Sequence, residues 1–136
     1  KKISSFVKKT PVVLPKNVKL EISHHYGLDK FFKFGLSMFT IVNREYCKKI
    51  LVCLPSQIHP TQHHKIKEET VYVLEGTLLN YLDNDSIERY TVGTTLHVNP
   101  GQVHRFGALG NRYVKLVEVS TNYLDDVIRL EDDFNR

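Results

Sequence analysis

From Leu36 onward the apolar and polar positions fall into short runs that suit strands better than helices. Leu36–Val42 opens the series. Glu45–Leu54, rich in Ile, Val and Cys, follows and is stopped by Pro55. Glu69–Leu74, Thr77–Leu82, Ile87–Val92, Thr95–Val98, His104–Ala108 and Tyr113–Ser120 complete the set. Turn residues separate them at Glu75-Gly76, Asp83-Asn84-Asp85, Gly93, Asn99-Pro100-Gly101 and Gly110-Asn111. Eight or so short strands joined this way predict an all-β fold, a double-sheet barrel or jelly roll. Helical signals are confined to the ends. Leu28–Phe34, closed by Gly35, predicts one short N-terminal helix, and Leu124, Val127, Ile128 and Leu130 have helical spacing in an acidic tail. Residues 1–20 mix Lys with apolar residues, broken by Pro11 and Pro15. They read as an arm with a short edge strand, or as a linker remnant, before a single domain over residues 21–136.

The composition, 41% hydrophobic and 25% charged over 136 residues, suits one globular domain and excludes a disordered chain or a disulfide scaffold. No apolar run approaches the roughly 18 residues of a spanning helix, so no membrane association is expected. The net charge of +4 is unevenly placed. Residues 1–20 hold six Lys and no acid, and residues 118–136 hold six acids against Arg129 and Arg136. A basic pI made by one Lys-rich end does not indicate nucleic-acid binding. The start at Lys1-Lys2-Ile3, with no apolar signal region, suggests a piece of a longer polypeptide. Such a piece of an enzyme need not hold its catalytic site. Cys47 and Cys53 lie on one predicted strand, about 20 Å apart at strand rise, too far to bridge. Two buried free thiols suit a reducing cytoplasm.

Five of the seven His fall between residues 59 and 104. His59, His63 and His64 occupy a polar loop before a strand that Glu68 and Glu69 open, and His104 follows a Pro-Gly turn about forty residues on. Neutral imidazole with carboxylate is the ligand set of a divalent transition metal. Neighbouring barrel strands can aim such groups at one interior point. If Glu69 points inward, so do Val71 and Val73, while Thr70, Tyr72 and Leu74 point out.

Two runs carry a family resemblance. In PTQHHKIKEETVYVLEG, His64 is followed after four residues by Glu69 and after six more by Gly76; in GTTLHVNPGQVH, Gly93 is followed by Pro100, Gly101 and His104. These runs resemble the two motifs of the cupin superfamily. The resemblance implies a double-stranded β-helix, with His64, Glu69 and His104 as ligands of a divalent transition metal (Mn, Zn, Fe or Ni). Three departures stand out: Gln62 replaces the first motif His, the motif proline has slid by one, and Ala108 replaces the terminal Asn. Gln62 can ligate through its carbonyl oxygen, more weakly than imidazole. That leaves three alternatives: three protein ligands, four with Gln62, or a site that has lost its metal. His63 should be turned away by the strand pleat unless a bulge intervenes. His63 and His59 read as structural or rim residues, His97 as a packed or surface residue; His24 and His25 receive no role.

A narrower resemblance covers residues 23 to 127 through SHHYGLDKFFKFG, NREYCKKILVCLP, HPTQHHKIKEETVYVLEGTL and VEVSTNYLDD. These segments look like the cupin domain attached to some bacterial N-acetylneuraminate synthase-like proteins, which is similar in turn to D-lyxose isomerases. It implies a setting in nonulosonic acid biosynthesis for surface polysaccharide. Condensation with phosphoenolpyruvate would belong to a separate domain absent from this chain.

On the last strand Val114, Leu116, Glu118 and Ser120 share one face. If that face is interior, Glu118 is a carboxylate near a metal and a candidate catalytic base. If Lys115, Val117 and Val119 face in, it is not. Arg44, Glu45, Lys48 and Lys67 form a charged set at the sheet mouth, and an inward Lys48 or Lys67 would suit a sugar hydroxyl or carboxylate. Together with these residues, the resemblance implies an accessory domain that binds a sugar or sugar acid or helps assembly, or else an aldose–ketose isomerase. A metal-dependent dioxygenase ranks below both. A two-fold homodimer is expected, through sheet edges or the oppositely charged ends.

Overall fold

A computed structural model describes residues 14–24, 26–59, 61–82, 86–123 and 128–129. Eleven strands lie within them: β1 Leu20–Ser23, β2 Leu36–Asn43, β3 Tyr46–Cys53, β4 Gln62–His63, β5 Glu69–Glu75, β6 Leu78–Tyr81, β7 Ile87–Tyr90, β8 Thr95–Val98, β9 Phe106–Ala108, β10 Val114–Thr121 and β11 Ile128–Arg129. All their pairings are antiparallel. A six-stranded sheet runs β1-β2-β3-β10-β5-β8, a three-stranded sheet runs β7-β6-β9, and β11 pairs with β4. This is the double-stranded β-helix expected from the chain.

Side-chain alternation decides which face of each strand is buried. On β5, Glu69, Val71 and Val73 are buried while Tyr72 and Leu74 are exposed. On β10 the buried set includes Val114, Leu116, Glu118 and Ser120. The main core draws Leu51 and Cys53 from β3, Val71 and Val73 from β5, Leu96 and Val98 from β8, and Leu116 from β10; from the small sheet it takes Leu78, Phe106 and Ala108. It therefore lies between the two sheets. A second cluster, Phe39, Ile50 and Val52, lies on the outer face of the large sheet against Leu14, Val18, Ile41 and Val117. Cys47 and Cys53 are buried free thiols.

Several expectations change in the folded chain. The helix predicted over Leu28–Phe34 shrinks to a single 3₁₀ turn, Leu28–Lys30. Ser23 pairs with Leu36, so the described residues between them connect two paired strands, and the Lys33 carbonyl is taken by the Ile58 N–H. Of the arm or linker remnant expected over residues 1–20, residues 1–13 lie outside the described residues, and the first described strand begins at Leu20 and runs on to Ser23. In the tail, Ile128 and Arg129 are a strand, because the backbone of His63 and Gln62 offers them a ladder. The remaining residues with helical spacing, Leu124, Val127 and Leu130, lie outside the described residues, as do residues 1–13 and the Asp83–Asp85 turn. The supposed polar loop before Glu69 itself carries β4. Among the described residues no helix is long and apolar enough to cross a membrane.

Candidate metal centre

Two chain segments that lie forty residues apart are locked together by backbone bonds. Gln62 and His104 exchange both backbone hydrogen bonds, at 3.1 and 2.9 Å, and the Gly101 N–H donates to the His64 carbonyl. Asn99–Gln102 forms a tight turn closed from the Gln102 N–H to the Asn99 carbonyl. Gly101 there has φ +80°, the left-handed conformation that a type II turn needs at its third position. That turn delivers His104 to the interior. The pleat turns Gln62 and His64 to one side and His63 to the other. Glu69, first residue of β5, points inward beside Ser120 of β10 and Val98 of β8.

The result is a buried triad. His64, Glu69 and His104 are 1%, 4% and 1% exposed, and one ligand atom from each lies within 4.8 Å of the others. His104 Nε2 is 3.4 Å and His64 Nε2 3.8 Å from Glu69 Oε1. Ligands at about 2.1 Å around a tetrahedral ion stand about 3.4 Å apart, so the spacing fits a divalent transition metal. The His104 tautomer fits as well. Its Nδ1 lies 3.3 Å from the Gln102 carbonyl, which can only accept, so Nδ1 carries the proton and Nε2 presents a lone pair to the triad. The Gln62 amide nitrogen is 3.2 Å from that Nε2, placing Gln62 at the edge of the same centre.

A second group of charges adjoins the triad. Lys67 Nζ is 2.9 Å from Glu69 Oε2 and 3.0 Å from Glu118 Oε1. Burial alone would lower the Lys67 pKa, but the two carboxylates raise it above its usual value. Glu69 balances the other way. Burial would raise it, yet hydrogen bonds with Glu118 and His64 and the charge of Lys67 hold it well below the carboxylate range. Glu118 is pushed up to about 8 by burial and by the adjacent Glu69 charge, against the pull of Lys67. Of two neighbouring acids, then, one stays ionised and the other keeps its proton.

Lys48 does not join this group. It is exposed, and its neighbour on the same face, Ile50, belongs to the outer cluster. The pleat turns Lys49 inward instead, directly opposite Glu118 on β10. Three polar residues near the centre were not singled out from the chain as functional. His59, read from the chain as a structural or rim residue, is buried. Burial lowers its pKa to about 4. Asn80 is fully buried on β6, and Ser120 sits beside Glu69. The signal for Asn80 was parity: it lies two residues from Leu78, on the inward face. His97 lies on the outer face, its Nδ1 3.0 Å from Thr70 Oγ1. His63 is half-buried and His24 exposed, and His25 is outside the described residues.

Comparison with known proteins agrees with this architecture. The cupin domain family matches residues 50–120. No curated protein sequence matches the chain. Among solved structures, the polyketide cyclase RemF from Streptomyces resistomycificus superposes with a TM-score of 0.72 at 19% identity, covering 90% of this chain and 86% of its own. A sugar phosphate isomerase of the cupin superfamily from Silicibacter pomeroyi gives 0.68 at 18% identity, covering 82% and 75%. A Klebsiella pneumoniae protein with a double-stranded beta-helix domain gives 0.62 at 18%, covering 70% and 84%. At these identities the likeness speaks for the fold.

Proposed function

The chain belongs to the cupin family, and on that premise we propose that it is a metal-dependent sugar-binding domain of the aldose–ketose isomerase type. The observation that carries this reading is Glu118. It is a buried carboxyl outside the metal-binding triad, yet Lys67 ties it to the triad's Glu69. His64, Glu69 and His104 would hold the metal (Mn, Zn, Fe or Ni), with Gln62 alongside. A divalent cation bound there supplies electrophilic polarisation of sugar oxygens.

The chain's own residues do the rest. Glu118, pushed up to about 8 and so ionised in part near neutral pH, takes the proton from the hydroxyl-bearing carbon beside the sugar carbonyl and returns it to the former carbonyl carbon, while the hydroxyl proton passes to the former carbonyl oxygen. Lys67 holds Glu118 and Glu69 in fixed orientation, and the closed surroundings keep bulk water from the exchanging proton. The likeness to a sugar phosphate isomerase supports a sugar carbonyl as substrate class. The test is incubation of manganese-loaded protein with D-lyxose and measurement of xylulose. Turnover is expected, and Glu118→Gln should lower it by about a hundredfold or more at unchanged metal content. No xylulose from fully loaded protein would refute the reading.

Gln62 favours a second reading. A neutral amide where the resembling family has imidazole weakens the metal site. That suits an accessory sugar-acid-binding domain of a cytoplasmic N-acetylneuraminate synthase-like protein, held in a longer polypeptide or a homodimer. Binding of N-acetylneuraminate without any turnover would select it.

A further inference from the structure

Three neighbouring segments of the small sheet place His59, Phe106 and Asn80 side by side. Asn80 is paired with Phe106 across β6 and β9. On the other side of β9, Ile58 is bridged to Gly107 and the His59 N–H donates to the Phe106 carbonyl at 2.8 Å. Directly paired residues of an antiparallel sheet point to the same face. Here that is the interior face, since Phe106 lies in the core between the sheets. The Phe106 ring stands 5.1 Å from His104 and 6.0 Å from His59. This wall therefore continues directly from the metal-binding triad.

Two atoms on it are unusual. His59 Nε2 and Asn80 Oδ1 are buried and have no hydrogen-bond partner among the described residues. The amide of Asn80 is oriented by Glu88, whose carboxylate accepts from Nδ2 at 3.4 Å, so the bare atom is the oxygen. On the facing sheet Ser120 Oγ, beside Glu69, also lacks a partner among the described residues. Buried polar atoms are normally satisfied by the fold itself. Left unsatisfied on the interior walls beside the triad, these atoms are free to hydrogen-bond a ligand that carries hydroxyl groups.

We propose that His59 and Asn80 form a hydroxyl-reading subsite that holds a polyhydroxylated ligand, a sugar or sugar acid, along Phe106 and next to the triad. One hydroxyl donates to Asn80 Oδ1 and a second hydrogen-bonds His59 Nε2. The carbon–hydrogen face of the ligand lies toward the Phe106 ring. The subsite rests on the sugar reading above but assigns residues outside the triad and the Lys67–Glu118 pair.

The test measures two affinities on the same manganese-loaded full chain. D-lyxose and N-acetylneuraminate binding is read by saturation-transfer NMR, and manganese binding by water proton relaxation. Wild-type protein should bind at least one of the two sugars. Asn80→Leu and His59→Phe should each weaken that binding about fivefold to tenfold, the worth of one buried hydrogen bond. Manganese affinity should stay within twofold. His59→Gln, which restores a hydrogen-bonding group, should recover most of the loss and guards against a merely misfolded Phe variant. Wild-type sugar affinity in Asn80→Leu and His59→Phe would overturn the subsite and leave the sugar reading standing. Equal loss of sugar and manganese would overturn it in favour of a structural role. Binding of neither sugar by fully loaded wild type would overturn the sugar reading and the subsite with it.

Discussion

His59 shows how far a residue's surroundings can depart from its local sequence. It sits among polar residues in the chain, which leaves a structural and a rim position both open, and in the fold it is buried against Phe106. Burial pushes its pKa down from 6.5 to about 4. As pH falls, the unfolded chain takes up this proton first. The contribution is complete above about pH 6.5 and drains away as pH falls toward 4, by up to about 3 kcal/mol. Urea unfolding at pH 7.5 and 4.5 should show that drop in wild type and a smaller one in His59→Gln; equal drops would rule out the assignment. Glu118 and Lys48 mark the opposite limits of what alternation reveals. Alternation placed Glu118 with Val114 and Leu116, and their burial carried it inward. For Lys48 and Lys49 the chain defined two faces but not which was interior, because β3 buries apolar residues on both.

At the scale of elements, turns carry the placement of the site. Gly76, after β5, has φ +78°, and an added Cβ would run into the Tyr113 carbonyl. Gly101 has φ +80°, with nothing within 4 Å of the same added atom. The two glycines should therefore respond differently. Gly101→Ala incurs backbone strain alone, about 1 kcal/mol. Gly76→Ala adds a backbone collision between β5 and β10 and should cost more than about 2 kcal/mol. Denaturation midpoints of the two variants decide this, and equal losses would contradict it. Strand existence and turn positions were legible in the chain, since each is a local property. The N-terminal helix and the tail were not. The pairing of Ser23 with Leu36 and of Ile128 with His63 overrode local spacing, and long-range ladders leave no mark on the residues between.

For the molecule as a whole, two buried imidazoles and a carboxylate converge between the sheets with a lysine and a second acid beside them. Metal that binds the folded chain alone should stabilise it. At a hundred times its dissociation constant the gain is about 2.7 kcal/mol, a rise in melting temperature of about 10 °C. Manganese or zinc should raise the melting temperature of wild type, and chelator should reverse it. His104→Ala should abolish the rise, and Gln62→His should enlarge it by adding an imidazole at the centre's edge. An unchanged melting curve in wild type at saturating metal would sink the centre.

The order of apolar and polar residues, with its punctuating Gly and Pro, was enough by itself to determine an all-β double sheet and to nominate His64, Glu69 and His104, because strand parity and motif spacing are written along the chain. Only the tertiary structure decided that Lys67 bridges Glu69 and Glu118, that Lys49 rather than Lys48 faces inward, and that His59 and Asn80 flank Phe106. Those relations depend on which strands become neighbours across the two sheets, and side chains that meet across a closed fold have no fixed separation in the sequence.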